Sequence, residues 1–434
     1  MAGANLSTLS TILKEYYLGP VAEQLNNEVL LLSRLEAKSE DLVGKRAYVP
    51  LHWGRSSGVG ARSEAQPLPI AGKQQYEKAV YDLKYLYGRV EVTGPSMAKT
   101  KNEAGAFLQA LKSELDGVRN DLKKDLARQV YGAGTGAIAV ATAGTTGTMT
   151  VAVEPLRKGQ VYPGMLVDIF DVSASTTAAT YFKVRVASID IATGVITFEA
   201  SGETGASAVP LAAALASGDY IVRAGVTVQA SDVSNTYSLS DEVDGLQRIV
   251  ASATGSSLGG ITATGSAIWW DNQRITASGA SGSGSTFALT LEDIQKGLNL
   301  ARIAGGMPSS VVTSLGVQRE FYSLLQSVVR YVEPDSNLSY GSGFKALSYN
   351  GMPIIADIDA PYGKMYILDE STIKVFSDQD WHFLDADGLT LRQVTGYDKF
   401  EAVMARYMNL GANRRNNQVV INSIAVDGAP DAGF

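Results

Sequence analysis

The chain has 434 residues, 45% of them apolar and 19% charged, with 44 Gly and no Cys. That length and balance describe several ordered domains rather than a disordered chain. The lack of Cys excludes disulfides, thiol catalysis, Fe–S clusters and cysteine zinc sites, and two histidines (His52 and His382) are too few for a multi-histidine metal centre.

No metal or other cofactor is therefore expected. The net charge of -7 is unevenly spread: up to residue 131 there are 18 basic and 15 acidic groups, and beyond it 19 against 29. This mild polarity does not mark a dedicated nucleic-acid reader, but it would let the first third of one copy meet an acidic region of another. No apolar run reaches the roughly 18 residues of a membrane span. The N-terminus lacks a basic head and apolar core, so the expectation is no membrane, no cleaved secretion signal and a reducing cytoplasm.

Residues 5–36 carry helical spacing twice, at Leu9, Ile12 and Leu13, then at Leu25, Val29, Leu32 and Leu35, broken by Gly19-Pro20. Helices so near a terminus pack on their own domain or reach a neighbour, and the spacing leaves both open. Arg46–Trp53 is predicted as a strand, followed by a glycine-rich excursion through Gly54, Gly58, Gly60 and Pro67-Leu68-Pro69. Tyr81, Leu83, Tyr85 and Tyr87 then alternate with polar residues, which predicts one aromatic face on the returning strand. Such a hairpin has too little core to stand alone.

Thr100 and Glu103 have capping-box spacing, and Phe107, Leu108, Leu111, Leu115, Val118, Leu122, Leu126 and Val130 form one stripe. A helix of nearly thirty residues, about 45 Å long, is predicted to lie across a sheet as a strut. Residues 132–287 hold 20 Gly but only 7 basic and 12 acidic groups. Within them 160–225 reads as a small all-β barrel or sandwich with strands Met165–Phe170, Tyr181–Ile189, Val195–Glu199 and Tyr220–Ala224. Ile268-Trp269-Trp270 reads as one buried strand among exposed loops. Helices return at Leu289–Ile303 and Gln318–Tyr331. Strands follow at 345–349, 353–357, 364–368, 373–376, 382–384, 389–394, 400–409 and 418–426, with a turn at Asp387-Gly388.

Four motifs were weighed for chemistry. Gly132-x-Gly134-x-x-Ala137 resembles a dinucleotide fingerprint, but the helix precedes it instead of following, so a flexible hinge is expected. Gly255-Ser256-Ser257-Leu258-Gly259 with His382 downstream has hydrolase order, yet no helical periodicity follows Ser257 and His382 sits in a strand. Asp385-Ala386-Asp387-Gly388 lacks the later ligands of a calcium loop. Arg414-Arg415 reads as ordinary solvated surface.

In its order of elements the chain resembles, over nearly its whole length, the HK97-fold major capsid protein of tailed bacteriophages. The segment Glu64–Tyr87, with an acidic residue and a Pro pair before the returning strand, and the turn Asp244-Gly245-Leu246-Gln247 carry the likeness. The resemblance implies an α+β, HK97-like fold with an N-terminal arm (1–45), an extended loop (46–98) and a peripheral domain (99–155 and 377–434) carrying a spine helix (102–131). It further implies an inserted β domain (156–230) and an axial domain with its junction (231–376). In that family the loop reaches over a neighbour. Carried over, Tyr48, Trp53, Arg62, Glu64, Leu68, Tyr76, Tyr81, Tyr85 and Tyr87 would make inter-subunit contacts, and Phe107, Leu111, Leu115 and Leu122 would hold the spine helix to its sheet.

The implied function is structural, not enzymatic: self-assembly in the host bacterial cytoplasm, as hexamers and pentamers, into the icosahedral virion shell around double-stranded DNA. A separate scaffolding protein, a portal at one vertex, a possible cement protein and nonspecific contact with packaged DNA go with it. The rivals are an encapsulin-like compartment, a β-rich surface adhesin and, last, an esterase.

Overall fold

A computed structural model describes residues 30–36, 40–41, 46–64, 66–95, 104–145, 147–170, 181–202, 217–224, 242–280, 286–326, 347–384 and 391–426. The Thr100–Glu103 capping box, the Asp387-Gly388 turn and the apolar positions before Leu30 lie outside them.

Helix α1 (Leu30–Glu36) buries Leu31, Leu32 and Leu35 against its own chain. A two-residue strand β1 (Glu40–Asp41) leads into the hairpin of β2 (Arg46–Gly54) and β3 (Gln75–Asp82). Pairing in the hairpin runs from Arg46 opposite Asp82 to His52 opposite Tyr76. The chain then leaves the hairpin at Leu83, and β4 (Lys84–Thr93) joins a different sheet. The break shifts the alternation: Tyr81 and Leu83 are buried, then Leu86 and Val90, while Tyr85 and Tyr87 are exposed. The single aromatic face expected from Tyr81 to Tyr87 is thus split into two faces.

Helix α2 (Ala104–Tyr131) has 28 residues and ends where the stripe ends. Gly88 of β4 lets it approach: a β-carbon there would lie 2.5 Å from Leu122 and 2.7 Å from Val118. Leu115 and Leu122 are half-buried, whereas Leu126, Ala127, Val130 and Tyr131 are fully buried. Among the described side chains of the helix, those at its C-terminal end are the most deeply buried. The side chains of Phe107 and Leu111 fall outside the described part.

The inserted domain is a closed six-stranded barrel, ordered β10-β5-β6-β9-β8-β7. Its strands are β5 (Ala139–Thr145), β6 (Thr148–Val151), β7 (Leu166–Phe170), β8 (Tyr181–Asp190), β9 (Val195–Ala200) and β10 (Tyr220–Arg223), with a short helix α3 (Val153–Arg157) between β6 and β7. It starts well before residue 156, because β5 and β6 close it. Their small inward residues, Ala139 and Ala141, carry little hydrophobic signal but fit a narrow interior beside Met149 and Ile196.

After the barrel, α4 (Leu246–Ile249) and the strand pair β11 (Ser257–Leu258) and β12 (Ile261–Thr262) lead to a 3-10 helix, Gly265–Trp270. Ile268-Trp269-Trp270 is helical, not the strand expected. A six-stranded sheet follows, in the order β13-β21-β17-β14-β16-β15, from β13 (Gln273–Thr276), β14 (Ser310–Thr313), β15 (Ser348–Tyr349), β16 (Met352–Ala356), β17 (Met365–Leu368) and β21 (Val419–Asn422). Helices α5 (Leu291–Ile303) and α6 (Leu315–Gln326) pack on it, and Thr290 and Asp293 form a capping box at the start of α5.

The remaining sheet is built around β20 (Lys399–Ala412), with β4 on one side and β18 (Ile373–Phe383) and β19 (Arg392–Gln393) on the other. Two domain boundaries differ from expectation. Strand β18 runs unbroken across 376/377, because its pairing with β20 spans that point. Strand β21 belongs to the other sheet, parallel to β13 and antiparallel to β17. The chain end thus ties the two sheets together.

Candidate assembly surface

The hairpin is anchored at its base and unsupported at its tip. At the base Ala79 and Tyr81 are buried, and the Val80 amide donates to the Gly259 carbonyl at 2.9 Å. The Tyr81 ring stacks on Phe376 at 5.4 Å, and its hydroxyl bonds the Ala412 backbone. Burial pushes the phenol pKa well above its usual value. Tyr81 is therefore a core residue of its own chain, contrary to the inter-subunit contact expected of it. Trp53 is half-buried and stacks on Trp269 of the same chain, 5.6 Å between nearly parallel rings.

Beyond the base, the described residues between 55 and 74 form no strand. Val59, Leu68 and Ile70 are 87%, 84% and 89% exposed. Arg62 and Glu64 stand in solvent beside them, and Tyr48 and Tyr76 are exposed along the hairpin. Isolated apolar side chains on a surface are ordinary, but three aliphatics on one projecting loop are a patch without a partner among the described residues.

A second exposed surface lies on the sheet face turned away from α2. Tyr407 is met edge-on by Tyr85 at 5.2 Å, Tyr87 at 6.2 Å and His382 at 5.4 Å. Partial burial, then Tyr407, raises the Tyr87 pKa. Farther along the same strands Lys399 pairs with Glu91 at 2.6 Å and Arg89 with Glu401 at 2.7 Å. Lys399 and Arg89 keep Glu91 below the usual carboxylate range. Between the hairpin base and the second sheet lies a cleft of about 690 Å³ that includes Trp53, Trp269, Met307, Asp369 and Arg414 in its lining.

Buried charges make the joints between these parts rigid. Arg415, expected at the surface, is fully buried. Its guanidinium donates to the carbonyls of Ile249 (3.0 Å), Arg248 (3.1 Å) and Ser256 (3.1 Å), to the Ser256 hydroxyl at 2.6 Å, and to Ser252. It thus caps the C-terminal carbonyls of α4, where a cation is favoured. Burial lowers its pKa to about 10, so it stays charged at neutral pH. The Arg414-Arg415 pair carries no sign of this role in the sequence, since the partners of Arg415 lie roughly 160 positions away.

At the end of α2, Asp125 bonds Arg128 (3.2 Å), Arg223 of β10 (3.0 Å) and Gln129 (2.8 Å), and Arg128 also pairs with Glu242. The barrel's exit strand and return segment are clamped together on the helix. The Gly132–Ala137 segment connects α2 to β5 without regular structure. A β-carbon at Gly245 would strike the backbone of Gln129 and Gly132, so the Asp244–Gln247 turn is packed tightly on the helix end.

The elements of an esterase are not assembled. Ser257 lies in a two-residue strand followed by another, so no strand-to-helix elbow exposes its hydroxyl, and His382 lies in β18 with Nδ1 bonded to the Asp380 carbonyl at 2.9 Å. Among the described residues no helix is long and apolar enough to cross a membrane.

No protein-family profile and no curated protein matches the sequence. Solved structures match the fold. The capsid asymmetric unit of cyanophage A-1(L) superposes with a TM-score of 0.59 at 14% identity, over 97% of this chain and 99% of that one. The capsid of a native GTA particle gives 0.51 at 10% identity over 98% and 100%, and that of an empty GTA particle gives 0.51 at 9% over the same shares. The chain shares the mixed α and β fold of these capsid structures.

Proposed function

We propose that the chain is a major capsid protein that assembles into the icosahedral head shell enclosing the double-stranded DNA of a tailed phage. The single observation that carries this is the hairpin: firmly fastened at Tyr81, it projects an uncovered aliphatic tip from a chain with a capsid fold. A heterologous contact of that kind, repeated around symmetry axes, closes rings of six and five. The exposure of Tyr48, Arg62, Glu64, Leu68, Tyr76, Tyr85 and Tyr87 supports a contact with a neighbour in which the tyrosine hydroxyls lie at a wet rim. Helix α2 acts as a stiff lever between the hairpin sheet and the barrel. The barrel serves as an outer decoration or as a clamp within the capsomer.

The reading extends to a separate scaffolding protein, a portal at one vertex, a cement protein, nonspecific contact with DNA and assembly in a bacterial cytoplasm. Electron microscopy of the expressed chain, alone and with its neighbouring genes, tests it. Closed shells, or hexamer and pentamer lattices, are expected. A monomer that never assembles with any of those partners overturns it.

A further inference from the structure

The cleft at the hairpin base includes the stacked pair Trp53 and Trp269 in its lining, together with Met307, which is exposed. Asn413, Arg414 and Asn416, in the turn between β20 and β21, share that lining. The indole N–H groups of Trp53 and Trp269 and the side-chain amides of both asparagines hydrogen-bond nothing among the described residues. Arg414 is exposed, donates to the Gly305 carbonyl at 2.9 Å and pairs with no carboxylate among those residues. Asp369, also in the lining, is buried and already accepts from the Met307 amide (3.1 Å), the Ser371 hydroxyl (2.6 Å) and the Asn417 side chain (3.0 Å). The cleft thus offers flat aromatic surface, several unsatisfied donors and a positive charge without a counterpart. Its volume of about 690 Å³ is of the size that seats a small ligand or a short stretch of chain.

Those properties suit an extended segment that carries proline. Proline removes backbone donors, so the carbonyls around it take their hydrogen bonds from a partner, and its ring packs on aromatic faces. The hairpin tip holds such a segment, Gln66-Pro67-Leu68-Pro69-Ile70. Gln66 and Leu68 each precede a proline and are steered to extended backbone. The segment forms no strand, and Leu68 and Ile70 are exposed. Glu64, just before it, is exposed and pairs with no base among the described residues. A β-carbon at Gly72 would lie 2.5 Å from the Ser57 amide nitrogen, so the two sides of the loop touch in a neck. The segment lies past that neck and does not enter the lining of its own chain's cleft.

We propose that the cleft receives the Gln66–Ile70 segment of a second copy, with Leu68 against Trp269 and Met307 and Glu64 facing Arg414. This rests on the capsid reading for its partner and adds the surface that receives the tip. The same hairpin supplies the tip and, through Trp53, part of the cleft, so each copy both gives and receives. A head-to-tail contact of this kind closes into a ring when the rotation between copies divides a full turn.

The chain has no Cys, so paired substitutions introduce its only thiols. Full-length Leu68→Cys with Met307→Cys, treated with a short bis-maleimide, should form covalent oligomers about tenfold faster than Leu68→Cys with Ile191→Cys, because docking raises the local concentration of the two thiols. Ile191 is exposed on the barrel, and links between two copies of position 68 are common to both proteins. Mass spectrometry should find the peptides of positions 68 and 307 joined. Arg414→Glu added to the first pair should slow the reaction about fivefold, and Glu64→Arg in the same chain should restore it. Equal rates in the two paired variants overturn the proposal, as does a rate indifferent to Arg414→Glu. Shells by microscopy without the link between 68 and 307 reject this cleft and keep the capsid reading, whereas the link without shells does the opposite.

Discussion

The Tyr81 hydroxyl both donates to the Ala412 carbonyl, at 2.9 Å, and accepts from the Ala412 amide, at 3.1 Å. One side chain at the hairpin base therefore satisfies both polar groups of a residue at the end of β20. Tyr81→Phe keeps the stack on Phe376 but leaves that buried amide and carbonyl unpaired. It should lower unfolding free energy by about 1–3 kcal/mol, read from urea midpoints. Tyr81→Ala should cost more, since it also opens a cavity under the hairpin.

Gly88 is the point of closest approach between β4 and the long helix. Gly88→Val places methyl groups where Leu122 and Val118 now lie. The helix must shift or the strand must bend, and stability should drop by about 1–3 kcal/mol. Calorimetry of the variant beside the parent chain decides it. An unchanged melting temperature would mean that the helix does not bear on this strand in solution.

Leu68 and Ile70 make no such demand on their own chain. The double change Leu68→Ser and Ile70→Ser should leave the isolated chain within about 0.5 kcal/mol of the parent. In the assembly assay it should abolish shells or lattices. Intact shells from the double variant would remove the tip from the interface.

Arg415→Met strips one buried carbonyl, two part-buried carbonyls and two hydroxyls of their shared donor. The expected loss exceeds about 3 kcal/mol, because each orphaned buried group costs on the order of 1–3 kcal/mol. Arg415→Lys should not rescue it, since a single ammonium cannot reproduce a planar fork spanning α4 and the Ser256 turn. Chemical denaturation of both variants checks the pair.

Asp125 makes the stability of the fold depend on pH. Burial opposes its ionisation, but Arg128 and Arg223 outweigh burial and hold its pKa below 3.8. A depressed carboxylate stabilises the fold above its unfolded pKa, and that contribution is lost as pH falls through the folded value. Asp125→Asn should therefore be less stable than the parent chain at pH 7, by about 1.5–3 kcal/mol for lost charged hydrogen bonds. The gap should close below pH 3.8. Parallel thermal melts between pH 3 and 7 show whether it does.

The sequence by itself determined the parts whose signal is local. The long stripe from Leu115 to Val130 specified α2 to within a residue at its C-terminal end. The run Arg46–Trp53, the glycine-rich excursion and the return from Tyr76 specified a hairpin with an exposed tip, and four barrel strands followed from their turns. From these the order of the elements was legible, and Leu68, Tyr76, Tyr85 and Tyr87, expected to face a neighbour, are exposed.

Only the tertiary structure decided which face each side chain takes and which sheet each strand joins. Tyr81 and Tyr87 share a period-two pattern, yet the break at Leu83 sends one into the core and the other to solvent. Strand β21 reads like its neighbour β20 but pairs with β13 and β17, partners chosen by backbone register some fifty to one hundred and forty-six positions away. Ala139 and Ala141 look like linker until the barrel closes around them. Arg415 looks like surface until α4 brings its carbonyls to the guanidinium. Each depends on groups far apart in sequence, whose desolvation and hydrogen bonding are settled only when the chain packs.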